Sequence, residues 1–235
     1  MFSMPIYWGY NSGIWLVILA AILGMVAQGA VQNTYKRFSR TLARSGVTAA
    51  QAAQIVMQSQ GVYDVTVARV RGTLTDHYDP RSKTLRLSDG VCDSSSIAAL
   101  GIAAHEAGHA IQHAQGYGPL MLRNSIVPVV NFGSRMSMPL LLIGLFLNSY
   151  NLALLGVALY GLAVAFQLIT LPVELNASKR AMQALTSAGL LMQDEAPKAR
   201  KVLGAAAATY LAAAFAAVAQ LLRLLSIVGA GRRRD

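Results

Sequence analysis

A chain of 235 residues is long enough for one or two domains, but its composition excludes an ordinary water-soluble one. Hydrophobic residues make up 54% and charged residues 13%, about half the charged share usual in soluble domains, so part of the surface faces a solvent other than water. The net charge of +10 is carried by Lys and Arg that flank apolar segments instead of forming an interleaved basic and aromatic groove, which sets nucleic acid aside in favour of anionic lipid.

In chain order, residues 13–31 form an uninterrupted apolar run of transmembrane length. No charge precedes it in residues 1–12, and Lys36, Arg37, Arg40 and Arg44 follow it. That is the pattern of an anchor whose C-terminal end is cytoplasmic, not of a cleaved secretory signal. Residues 33–122 differ in character, holding most of the acids and all four histidines. Within them, 48–59 reads as a short amphipathic helix, and 64–70 and 84–88 alternate as strands. The two strands are expected to form a hairpin across the turn-rich link Asp76-His77-Tyr78-Asp79-Pro80-Arg81. Asp93 and the serines after it offer N-caps for a helix over about 95–115. The single cysteine, Cys92, allows no internal disulfide and no Cys-rich zinc pattern, and we read it as incidental.

After Gly116-Tyr117-Gly118-Pro119 the chain turns apolar again. Residues 125–147, with Pro128 and Pro139 as kinks, and 152–171 form a transmembrane hairpin (125–171) around the tight turn 148–151. A polar helix over about 173–187 is expected to follow, within a segment 173–201. Residues 202–228 are apolar and Ala-rich, the candidate for a fourth span, with Arg223 inside it and Arg232, Arg233 and Arg234 after it. Four full spans from an outside N-terminus would leave that tail outside, against the orientation rule, so either the basic segments 33–124 and 174–201 outweigh it, the favoured reading, or the last segment bends back.

The chemistry concentrates in His105-Glu106-Ala107-Gly108-His109. Residues four apart share a helix face, so both imidazoles can reach one metal ion, while Glu106 at the edge of that face can take a proton from a metal-bound water. This is the mechanical reason for the HExxH zinc motif. Gly108 weakens the helix by about 1 kcal/mol relative to Ala, which is tolerable where substrate or another helix packs closely. A catalytic zinc commonly takes three protein ligands and keeps one position for water. Glu174, Glu195, His77, His113 and the aspartates compete for the third place. His113 lies too far along a straight helix, and Glu195 reads as a loop acid. Glu174, just beyond the third apolar run, is favoured because a carboxylate at a membrane boundary needs a partner.

These residues, with Asp76-His77-Tyr78-Asp79-Pro80 upstream and Pro172-Val173-Glu174-Leu175-Asn176-Ala177-Ser178 downstream, resemble the YugP-like family of neutral zinc metallopeptidases over most of the chain. The resemblance implies bacterial membrane zincins with His105 and His109 as zinc ligands and Glu106 as base. Similarity to the HtpX and CAAX-protease type of membrane zincin makes Glu174 the third ligand. Those proteins carry Asp four residues after the ligand Glu; here Ser178 stands there, which leaves support of the histidines to Asp76, Asp79 or Asn176. His77 or Tyr78 is the candidate hydrogen-bond donor to the reaction's oxyanion, with Tyr210 as a second source.

The expected fold is therefore a mainly α transmembrane bundle of about four spans carrying a small α+β zincin-type domain. The expected function is zinc-dependent (Zn²⁺) endopeptidase action on membrane or unfolded proteins at the cytoplasmic face of a bacterial inner membrane. The expected partners are the lipid bilayer and a polypeptide substrate, with a membrane-protein partner or homo-oligomer left open. The alternative is a membrane adaptor or assembly factor with a structural or silent metal site, and Glu106→Gln separates the two.

Overall fold

The computed structural model describes residues 13–232, with side chains described as far as Gly229, so the uncharged segment 1–12 and the side chains of Arg232, Arg233 and Arg234 lie outside the described residues. The elements run α1 (Ile14–Phe38), α2 (Ala49–Gln58), β1 (Thr66–Val70), β2 (His77–Asp79), β3 (Thr84–Ser88), α3 (Asp89–Cys92), α4 (Ile97–Ala114), α5 (Gly118–Phe146), α6 (Tyr150–Ser187) and α7 (Ala196–Arg232). Four of them, α1, α5, α6 and α7, are long and apolar enough to cross a membrane. The protein is a mainly α, multi-pass membrane protein with one small sheet.

The chain divides into two compact units. The first contains 122–171 together with the described residues up to 26 and from 209 onward. Here α5 and the first part of α6 form a helical hairpin, turning at Asn148, whose φ is 53°, with the Ser149 N–H donating to the Gly144 carbonyl at 2.8 Å. The two helices touch backbone to backbone. A Cβ on Gly156 would lie 2.6 Å from the Leu141 nitrogen, and one on Gly144 would lie still closer to Ala153. Such small-residue contacts replace the hydrophobic effect as the source of helix association in lipid. Pro128 and Pro139 sit inside α5 without ending it.

The second unit contains Ala27–Met121 and Pro172–Ala208. Helix α2 starts where the sequence says it should: the Thr48 side chain accepts from the Gln51 N–H, and the Gln51 side chain accepts in return from the Thr48 N–H. In β3, Leu85 and Leu87 alternate inward and are fully buried, each worth about 1.5–3 kcal/mol of hydrophobic stabilisation. The core gathers Ala52, Ala53 and Val56 from α2, Leu100, Ala103, Ala107 and Ile111 from α4, and Ala181 and Leu185 from α6. Its many alanines let helix axes approach closely.

Two expectations are corrected. The strands at 66–70 and 84–88 do not form a hairpin: β1 pairs with β3 in parallel, in the register Thr66↔Thr84 to Val70↔Ser88. The presumed turn between them contains β2, which pairs antiparallel to β3 and completes the order β1-β3-β2. Parallel neighbours need a crossover longer than a tight turn, and the intervening segment with β2 supplies it. The polar helix expected from 173 is not separate either. Helix α6 continues through Pro172 to Ser187; a proline removes one backbone donor without necessarily ending a long, packed helix.

Candidate metal centre

Helix α4 carries the motif. It is capped by Ser96, whose hydroxyl accepts from the Ala99 N–H, and it runs unbroken to Ala114. The side facing the core is buried: Ala103, Ala104, Ala107, Ala110 and Ile111. His105, Glu106, His109 and His113 lie toward the other side and are half-buried. The glycine of the motif has a steric cause. A Cβ on Gly108 would sit 2.7 Å from the carbonyl oxygen of Ala177, so α6 crosses against bare α4 backbone at this point. That crossing brings Glu174, one helical turn before Ala177, to the two histidines.

His105, His109 and Glu174 each offer a ligand atom, and these atoms all lie within 4.8 Å of one another. His105 Nε2 is 3.2 Å and His109 Nε2 3.4 Å from the same oxygen, Glu174 Oε2, and the Glu174 side chain is 3% exposed. The other nitrogen of each ring is engaged behind the site. His105 Nδ1 is 3.0 Å from Ser178 Oγ, and His109 Nδ1 is 3.0 Å from Gln112 Oε1. The Gln112 amide nitrogen already donates to the Val173 carbonyl and to Asn176 Oδ1, both at 2.9 Å, so its oxygen faces His109. His109 Nδ1 must then carry a proton, and in the neutral ring Nε2 is a bare lone pair aimed at a carboxylate. A lone pair facing a buried carboxylate needs a cation between the two, either a proton or a metal ion. Two imidazole nitrogens and one carboxylate oxygen are the donor set that suits a catalytic zinc.

Burial opposes protonation of His109, but the hydrogen bond the protonated ring donates to Glu174 and the charges of Glu106 and Glu174 outweigh it, and its imidazole is held above its ordinary value. A divalent ion at this position competes with that proton.

Glu106 lies on the flank of the same helix face, where its Oε2 accepts from the Tyr78 backbone N–H at 3.1 Å. Tyr78 belongs to β2, an outer strand of the sheet. Its hydroxyl is 2.9 Å from His113 Nδ1, and burial pushes its phenol above the ordinary value. Thus β2 is held against α4 at two points, by backbone to Glu106 and by side chain to His113.

The remaining candidates lie elsewhere. His77 is exposed, with Nδ1 2.8 Å from the Thr75 carbonyl. Asp76 accepts from the Ser88 N–H at 2.7 Å and from the Ser88 hydroxyl, fastening the end of β3. Asp79 accepts from the Arg81 N–H, the Ser82 hydroxyl and Arg86, which organises the β2–β3 link. Neither aspartate makes a hydrogen bond to His105 or His109, and Asn176 reaches His109 through Gln112. The histidines are supported instead by Ser178 and Gln112, which sequence reasoning missed. The spacing was the available signal: Gln112 is three residues after His109, and Ser178 four after Glu174, each on the same helix face as that residue. Glu195 is buried as a structural acid, accepting from the Arg44 and Met192 N–H groups at 3.0 and 2.9 Å. Cys92 is buried. Tyr210 lies on α7 within the other compact unit.

Comparison with known proteins places the chain in a family. The family described as "Putative neutral zinc metallopeptidase" matches residues 13–229. The chain is also 48% identical over 219 residues to "Putative membrane protease YugP" of Bacillus subtilis (strain 168), covering 93% of this chain and 97% of that protein. No solved structure matches it. A family match spanning both the apolar helices and the His/Glu cluster leaves one assignment: the chain belongs to the neutral zinc metallopeptidase family.

Proposed function

We propose that the protein is a membrane-bound zinc endopeptidase in which His105, His109 and Glu174 hold the ion and Glu106 is the general base. The observation that carries this reading is the convergence of three ligand atoms within 4.8 Å, with Glu106 beside them on the same helix face. Zinc bound there would supply Lewis acidity, lowering the pKa of a water and polarising the scissile carbonyl.

The protein's own part is positional and acid–base. Glu106 accepts a proton from the attacking water and passes it to the amide nitrogen as the C–N bond breaks. The water's oxygen ends in the new carboxyl group and the proton on the new amine. The Tyr78 N–H steers the Glu106 carboxylate, and Ser178 and Gln112 fix both imidazoles with Nε2 toward the ion. The substrate is an extended stretch of membrane or unfolded protein, added along the outer edge of β2 beside Glu106. The site works at the cytoplasmic face of a bacterial inner membrane, since Lys36, Arg37 and Arg40 follow the first apolar helix and Lys179 and Arg180 the third apolar run.

The test is Glu106→Gln in the full-length protein reconstituted with a labelled membrane-protein substrate. Zinc content should stay at the wild-type level while cleavage falls by about 10²–10⁴-fold, the usual contribution of a general base. Cleavage at the wild-type rate by the variant would refute the role of Glu106. Zinc-loaded wild type that cleaves nothing, with a cellular phenotype untouched by Glu106→Gln, would favour the adaptor reading.

A further inference from the structure

In the unit that holds the zinc site, a groove of about 480 Å³ runs between α6 and α7. Leu175, Met182 and Leu203 line its apolar part, and Lys179, Gln183 and Arg200 its polar part. It is open opposite Gly204, where a Cβ would meet nothing within 4 Å. No carboxylate lines it, and among the described residues neither Lys179 nor Arg200 forms an ion pair.

Leu175 on α6 comes four residues after the apolar run that ends at Leu171, and Thr186 lies about 16 Å further along the helix at 1.5 Å per residue. On α7, Leu203, Gly204 and Ala207 lie inside the apolar stretch 202–228 and Arg200 just before it. The two helices are joined by 188–195, and along them Lys179 and Arg200 are interleaved with Leu175, Met182 and Leu203, so cations and apolar side chains share one groove. A soluble anion would neutralise the cations and leave the apolar side chains wet. A hydrocarbon chain would do the reverse. A molecule that satisfies both kinds of lining has an anionic head and an acyl tail.

We propose that this groove is a binding site for an anionic phospholipid, with its phosphate between Lys179 and Arg200 and an acyl chain along Leu175, Met182, Leu203 and Gly204. Its wall includes Ser178, whose hydroxyl contacts His105 Nδ1, so the bound lipid lies one side chain away from a proposed zinc ligand. The inference rests on the membrane character of the protein and not on its cleavage reaction.

The experiment is native mass spectrometry of the full-length protein released from nanodiscs containing equal mole fractions of phosphatidylglycerol and phosphatidylcholine. Wild type should retain phosphatidylglycerol over phosphatidylcholine by on the order of tenfold, the scale expected for two basic side chains on one phosphate. The double substitution Lys179→Gln/Arg200→Gln should abolish that preference. Gly204→Leu, which fills the groove, should lower retention of both lipids. Lys198→Gln/Lys201→Gln removes the same charge from α7 outside the groove and should keep the preference. Equal loss in that control would show diffuse surface charge and overturn the site. Displacement of the lipid by inorganic phosphate or glycerophosphoglycerol at matching concentration would show an anion site without lipid specificity. Displacement by an acidic peptide in place of lipid would show a peptide subsite, and either displacement overturns the proposal. Thermal unfolding of each variant confirms that loss of lipid is not loss of fold.

Discussion

Gly108→Ala should damage the zinc site while Gly101→Ala, the same change two turns earlier on α4, should not. At Gly108 the new methyl would lie 2.7 Å from the Ala177 carbonyl oxygen and 3.3 Å from its carbonyl carbon and Cα. Ordinary contact starts near 3.4 Å, so α4 and α6 must separate by roughly 0.7 Å, and the obstacle is backbone, which cannot swing away. Overpacking of this kind costs about 1–3 kcal/mol, which outweighs or cancels the gain of about 1 kcal/mol from helix propensity. Glu174 is one turn from Ala177 and moves with it, and a site of this type tolerates only about 0.5 Å of displacement. Zinc affinity should therefore fall about tenfold or more. At Gly101 the methyl would lie 3.7 Å from the Ala199 Cβ, an ordinary contact, so the propensity gain should appear as up to about 1 kcal/mol of added stability with zinc affinity unchanged. Competition with a zinc-chelating dye measures affinity, and thermal unfolding in detergent measures stability. The reasoning is refuted if Gly108→Ala binds zinc as tightly as wild type, or if the two variants shift alike.

Gln112→Ala should lower zinc affinity by about 10–100-fold, because it frees His109 to rotate, and should destabilise the fold by about 1–3 kcal/mol through the lost partner of the buried Val173 carbonyl; dye competition and denaturation separate the two effects. Ser178→Asp should keep or tighten zinc binding, since a carboxylate on Nδ1 makes His105 a more basic ligand, whereas Ser178→Ala should loosen it; metal titration reads both. Removing zinc with a chelator should lower the unfolding temperature, and restoring it should return both stability and cleavage, the stabilisation amounting to about 4 kcal/mol at a thousandfold excess over Kd. Hydrogen bonds from Ser82 and the Arg81 N–H, helped by Arg86, hold the Asp79 carboxyl down at about 2 against an ordinary 3.8. Its folded pKa is the lower one, so the contribution of Asp79 is fully present above about pH 4 and is lost as pH falls through about 2. The stability difference between wild type and Asp79→Asn should be constant above pH 4 and shrink below it, and a difference that persists unchanged at pH 2 would contradict this.

Much of the metal centre was legible because its parts obey helical spacing. Residues 105 and 109 announce a shared face, and the reason for a glycine at 108 could be guessed as a close approach before its partner, Ala177, was known. Glu174 was legible through the energetics of a carboxylate at the end of an apolar run. The supports of the histidines were not. A Ser and a Gln have many ordinary roles, and only the fold shows that Ser178 and Gln112 face Nδ1 of the two rings. Strand β2 was unreadable for a different reason. Three residues, His77 to Asp79, are too few to display alternation, and Asp-Pro beside them signals a turn. The parallel pairing of β1 with β3 then followed from a strand that had gone unseen. Pro172 misled because local backbone chemistry favours a break there, whereas packing of Val173, Ala177 and Ala181 into the core keeps α6 continuous.

The central claim concerns two imidazoles and one carboxylate around one zinc ion, and X-ray absorption at the zinc edge reads that shell directly. Purified wild type should show two nitrogen scatterers at about 2.0–2.1 Å with oxygen from a carboxylate and water at about 2.0–2.2 Å, and no sulfur. Glu174→Ala should lose the carboxylate oxygen and bind the ion more weakly. A spectrum with sulfur ligands, or one identical in wild type and Glu174→Ala, would contradict the account.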